Sequence, residues 1–244
     1  MKWLTAIFGV TAAVSLAVNV VCLRILIRQY VLLRLDRSRT FCKLEPEIRE
    51  DRPSILFLGD SRIAQWNPLP VFEGMDILNL GCSGATSADL LQQVFRMRYP
   101  SQTRLAVIGV GINDMTVIGI CPEKKEEVLA QCRKNFKEMI RCLQERRIAV
   151  LLLPILPPGK IGWFREFFWS KEADIAIRRM NEELAHLAEN GAAAVLNCSE
   201  LMDENGRLKA CYVKDMLHWN TAAYQILNSA VKSEAVRLLG RSEP

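Results

Sequence analysis

A chain of 244 residues, 50% hydrophobic and 24% charged, carries enough apolar surface for one substantial core and an appendage, which excludes disorder as its main state. The net charge of +5 does not imply a nucleic-acid partner: much of the excess sits at Arg24, Arg28, Arg34, Arg37 and Arg39, and no basic stripe interleaves with aromatics elsewhere. Eight cysteines without CxxC spacing or a histidine cluster exclude a structural zinc site and read as buried reduced thiols.

The first element runs from Trp3 to Leu23 without a charged residue, and about 20 such residues suffice to cross a hydrocarbon core as a helix. We read residues 1–34 as a single-pass membrane anchor with its juxtamembrane helix. The competing reading is a cleaved signal peptide, but the apolar run exceeds a usual h-region and no AxA-like site ends it. The basic residues after the span outnumber Lys2 and the amino terminus before it, which by the positive-inside rule places the rest of the chain in the cytoplasm. Residues 35–53, with Pro46 and Pro53, read as a linker, and a domain follows over 54–240.

Within that domain short apolar runs alternate with longer amphipathic ones. Strands are expected near Ile55–Leu58, Ile77–Leu80, Leu105–Val110, Ala149–Leu153 and Ala193–Asn197, and helices over Ser87–Arg98, Glu123–Arg146, Lys171–Glu189 and Thr221–Leu239. The connections are too long for hairpins. The pattern therefore implies an α/β three-layer sandwich, a five-stranded parallel sheet with helices on both faces. In such sheets ligands bind at the carboxyl ends of the strands, so the residues that follow each strand carry the chemistry.

Gly59-Asp60-Ser61 follows the first strand and Arg62 to Trp66 can begin a helix, which places Ser61 at a strand-to-helix turn. Such a turn presents a hydroxyl and an unpaired N–H above the sheet, but Asp60 or Ser61 could equally serve as a helix cap. After the second strand, Gly84 in Gly81-Cys82-Ser83-Gly84 allows close backbone approach to a ligand, or only a turn. After the third stands Gly109-Val110-Gly111-Ile112-Asn113-Asp114, where Asn113 offers an amide donor; the third glycine of a dinucleotide loop is missing. Before the last helix, the spacing of Asp215 and His218 can bring a carboxylate to one imidazole nitrogen and leave the other for a serine. The only other histidine, His186, sits on an ordinary helix face.

Each block is weak alone; together, in this order and after these strands, they resemble the SGNH (GDSL-like) hydrolases over roughly Ser54 to Leu239. The resemblance implies the flavodoxin-like SGNH fold and a serine esterase with Ser61, Asp215 and His218 as catalytic triad. It further implies an oxyanion hole from the N–H groups of Ser61 and Gly84 and the Asn113 amide, with no metal or organic cofactor. The implied partners are an ester-bearing small molecule, a lipid or a carbohydrate, with the membrane engaged through the N-terminal helix. Transfer of the acyl group to a sugar hydroxyl, or a binding module without turnover, are the alternatives on the same fold. Resembling anchored hydrolases act on envelope carbohydrates or lipids, so by analogy, and against the charge count, an extracytoplasmic domain is favoured. Arg62 departs from the apolar or small residue common after the nucleophile, leaving open the shape of the pocket mouth. The aromatic stretch from Trp163 to Trp169 fits a lid, an acyl pocket, a membrane contact or plain core packing.

Overall fold

The computed structural model describes residues 2–35, 51–159, 169–189 and 193–240. The chain forms two compact units, Met1–Ser38 and Arg39–Pro244. The first is one continuous helix, α1 (Lys2–Leu35), about 50 Å long at 1.5 Å per residue. Its stretch Phe8–Leu32, mean hydropathy 2.2, is long and apolar enough to cross a hydrocarbon core, and side chains such as Phe8, Leu16 and Leu26 are exposed. Most of the predicted linker, residues 36–50, lies outside the described residues.

The second unit is built on five parallel strands, β1 (Ser54–Gly59), β2 (Asp76–Asn79), β3 (Thr103–Gly109), β4 (Ala149–Leu152) and β5 (Ala194–Val195), in the order β2-β1-β3-β4-β5. Every residue of β1 is buried, as a central strand covered on both faces requires. Side chains alternate between the faces. Ile55, Phe57, Leu105, Val107 and Leu151 meet α7 (Thr221–Gly240) and the one-turn helix α2 (Ser61–Ala64) through Ile63, Tyr224, Leu227 and Val231. The intervening residues, Leu56, Leu58, Ala106, Ile108, Val150 and Leu152, are equally buried. On that side lie α3 (Ser87–Arg96), α5 (Lys125–Glu145) and α6 (Lys171–Glu189), packed side by side. The result is the three-layer sandwich that the alternation of runs implies. Phe57, Trp66, Tyr224 and Trp219 form an aromatic chain under the β1 end, with successive ring centroids 5.2, 5.3 and 5.7 Å apart.

The differences from expectation have physical reasons. A helix absent from the sequence reading, α4 (Ile112–Ile120), contacts both α5 and α6; its polar residues, Asn113, Asp114 and Thr116, cluster in its first half and the rest is apolar, so it lacks the amphipathic period that reveals surface helices. The helix expected from Glu123 starts at Lys125, after a 3-10 turn over Pro122–Lys124. β5 is shorter than its apolar run, although Leu196 N–H still reaches the Leu152 carbonyl at 2.8 Å. Four of the described cysteines, Cys121, Cys132, Cys142 and Cys198, are buried as expected, whereas Cys22 and Cys211 are exposed. The aromatic stretch lies outside the described residues except for Trp169, which is buried and donates Nε1–H to Asp174 at 3.0 Å. From β1 the chain adds β2 on one side and then crosses to β3 on the other, so the topological switch point lies between β1 and β3.

Candidate active site

Ser61 follows β1 directly beside this switch point. Asp60 N–H donates to the Gly109 carbonyl at 3.0 Å, joining the two strand ends, and the Asp60 carboxylate accepts Arg62 N–H at 2.8 Å. Asp60 is therefore the cap of α2, which leaves the Ser61 side chain uncommitted to capping. Ser61 N–H, at the first helical position, makes no hydrogen bond among the described residues.

The segment before α7 delivers the imidazole. Asp215 Oδ1 accepts from the N–H groups of Leu217 at 2.9 Å and His218 at 3.0 Å, and the His218 carbonyl accepts Lys214 N–H at 3.0 Å. This tight turn, closed by a bridge between Val213 and Trp219, sets the carboxylate against the ring of its own turn. His218 Nδ1 lies 2.9 Å from Oδ1 and 2.8 Å from Oδ2, while Nε2 lies 2.8 Å from Ser61 Oγ. An ionised carboxylate only accepts, so Nδ1 carries the proton and Nε2 accepts from the Ser61 hydroxyl. Burial raises the Asp215 pKa, but the bonds from His218 and from the Leu217 and His218 N–H groups outweigh it and hold the carboxyl below its ordinary value.

The other blocks close around the same strand ends. Gly81 passes so near α2 that a Cβ would lie 2.2 Å from Ala64 N, a backbone contact that only glycine permits. Gly84 follows with φ +78°. Gly111, the residue before α4, has φ +118°, a conformation that side-chain-bearing residues rarely adopt. It turns Asn113 toward the β2–α3 loop, where Asn113 Nδ2 donates one N–H to the Ala85 carbonyl at 2.9 Å. The next residue, Asp114, accepts from Ser87 N–H at 2.9 Å and Ser87 Oγ at 2.6 Å, and so ties this block to the start of α3.

Two carboxyls and a guanidinium are buried here. Burial pushes Asp60 up to about 6 against the attraction of Arg62, and pushes Asp114 up to about 6 against the hydrogen bonds from Ser87. Burial likewise pulls Arg62 down to about 10. Arg62 is 4% exposed and does not shape a pocket mouth. His186 stands exposed on α6 beside Glu189, away from this constellation. A cleft of about 420 Å³ opens between α6 and the loops after β4 and β5, lined by Leu156, Ile177, Asn181, Cys198, Met202 and Arg207 among others. Ser61 and His218 do not line it, although Gly159 on its wall donates its N–H to Met216 of the Asp–His turn at 3.2 Å. Among the described residues no group of three His, Cys, Asp or Glu side chains stands ready to hold a metal ion.

No curated protein matches the chain. Among solved structures, a protein from Streptococcus pneumonia assigned as a platelet activating factor is 25% identical, with 75% of this chain and 84% of that one covered and a TM-score of 0.63. A GDSL-like lipase from Bacteroides thetaiotaomicron is 20% identical over 75% and 88% of the two chains, with a TM-score of 0.59. An acetyl xylan esterase is 18% identical over 74% and 98%, with a TM-score of 0.54; the last two likenesses speak for the fold. Residues 57–226 match the GDSL-like Lipase/Acylhydrolase family, a span that begins inside β1 and ends inside α7 and so takes in all four blocks, and the chain belongs to that family.

Proposed function

We propose that this chain is a serine esterase working through an acyl-enzyme, with Ser61 as nucleophile, His218 as general base and Asp215 as the group that fixes the imidazole tautomer. The observation that carries this reading is the position of His218, with Nε2 2.8 Å from Ser61 Oγ and Nδ1 2.8 Å from Asp215 Oδ2. Ser61 attacks the ester carbonyl as its proton passes to Nε2, and the imidazolium then protonates the leaving alkoxide. Water releases the acyl group by the same steps. In this reading the oxyanion is met by the N–H groups of Ser61 and Gly84 and by the second N–H of the Asn113 amide, whose first is held by Ala85. The substrate class is an O-acylated carbohydrate or a lipid ester, supported by an acetyl xylan esterase and a lipase among the similar folds. α1 serves as a membrane anchor. A fluorophosphonate probe should label the purified chain, and Ser61→Ala should abolish both labelling and turnover of short-chain aryl esters. Parent-level turnover in that variant would remove the serine mechanism.

A further inference from the structure

Arg62 is joined to both sides of His218, although 156 positions of sequence separate them. Its Nε–H donates to the Leu217 carbonyl at 2.7 Å, and its guanidinium carbon lies 4.8 Å from the centroid of the Trp219 ring. Nη1 donates to the Leu156 carbonyl at 2.8 Å, in the loop after β4. The residue before the imidazole is held by a hydrogen bond and the residue after it by cation–π stacking. The other end of Arg62 is equally fixed, since its carbonyl accepts the Tyr224 hydroxyl at 2.8 Å and its N–H is held by Asp60. Nη2 is buried without a hydrogen-bond partner among the described residues, so the guanidinium is kept there at a cost in solvation.

We propose that Arg62 is a positioning residue that locks the distance and angle between Ser61 and His218, because it adjoins the nucleophile in sequence and clamps the flanks of the base in space. This rests on the serine-esterase reading. Lysine keeps the charge on a single nitrogen and stacks less well, and glutamine keeps one amide nitrogen without the charge. With an aryl acetate and the full chain in detergent micelles, Arg62→Gln should lower kcat by about 10- to 100-fold, the scale of a misplacement of about 1 Å, with KM within about threefold. Arg62→Lys should recover part of that loss, and fluorophosphonate labelling should slow in parallel.

Unchanged kcat in folded variants would make Arg62 a fold anchor only, and a raised KM with intact kcat would make it a substrate contact; either overturns the proposal. Failure of both variants to fold would also overturn it, by assigning Arg62 to folding. If the parent chain itself resists the probe and shows no turnover, it is the serine-esterase reading that fails, a result these variants cannot mimic.

Discussion

Replacing Asp215 by asparagine should invert the proton positions on His218. Oδ1 already accepts two backbone N–H groups, so an asparagine must keep its oxygen there; its Nδ2 then takes the place of Oδ2, 2.8 Å from His218 Nδ1. A donor now faces Nδ1 at the shorter distance, while the retained oxygen, 2.9 Å from Nδ1, is already shared by two backbone N–H groups; the ring proton moves to Nε2, and Nε2–H confronts Ser61 Oγ where a base is required. The imidazolium formed during attack also loses its counter-charge. Together these effects should lower kcat by about 10³- to 10⁴-fold, equivalent to about 4–5.5 kcal/mol, with KM little changed. The melting temperature should hold, since the backbone acceptor survives. Asp215→Ala offers no opposing donor, and because the Asp215 side chain is 45% exposed, water can accept from Nδ1. Alanine should therefore cost about tenfold less than asparagine. The assay is steady-state hydrolysis of an aryl acetate beside a thermal melt of each variant. Asparagine turnover above a tenth of the parent, or alanine worse than asparagine, would refute the tautomer argument.

Asn113→Ala should reduce kcat by about 10²- to 10³-fold at nearly constant KM, since in the proposed oxyanion hole the amide meets charge present only in the transition state; a raised KM with intact kcat would make it a binding residue. Asp60 and Asp114, with pKa values of about 6 in the fold against 3.8 unfolded, bind protons more tightly when folded, so stability should rise as pH falls from 7 to 5. Each contributes on the order of 1 kcal/mol over that interval, and Asp114→Asn should remove about half of the gain in denaturant titrations at the two pH values; an unchanged gain would contradict it. Deleting residues 1–34 should release a soluble, active domain, and sedimentation of that product with membranes would contradict a single anchor.

Much of this fold was legible because its signals are local. The apolar runs of β1 and β3 sit between turn residues, and the amphipathic periods of α3, α5 and α6 follow sequence spacing that needs no partner to interpret. The proximity of Asp215 and His218 was legible for the same reason: three residues on a turn suffice. Asp60 and Ser61 were not separable as cap and free hydroxyl, since both residue types cap helices and only the bond from Arg62 N–H to Asp60 decides it. α4 stayed hidden because it is short and its polar residues, Asn113, Asp114 and Thr116, cluster in its first half and leave no amphipathic period. The burial of Arg62 was illegible because its partners are the carbonyls of Leu156 and Leu217, 94 and 155 positions away, and a backbone carbonyl carries no sequence signature.

The shortness of α2 bears on what the site selects. Its four residues, Ser61–Ala64, align few peptide units, so the electrostatic field at Ser61 is a small part of the half charge that a long helix projects from its amino end. A long-range field of that kind draws in anions from many directions. Discrete N–H donors instead act over a hydrogen bond's length and weaken steeply as the angle falls below about 120°. Recognition at the proposed nucleophile is then directional: an ester carbonyl should be admitted by the orientation of its oxygen, and a bulky acyl group that rotates this oxygen away from the donors should forfeit turnover even when it binds. Acyl-chain preference would then register in kcat across a series of branched and linear esters, with affinity changing far less.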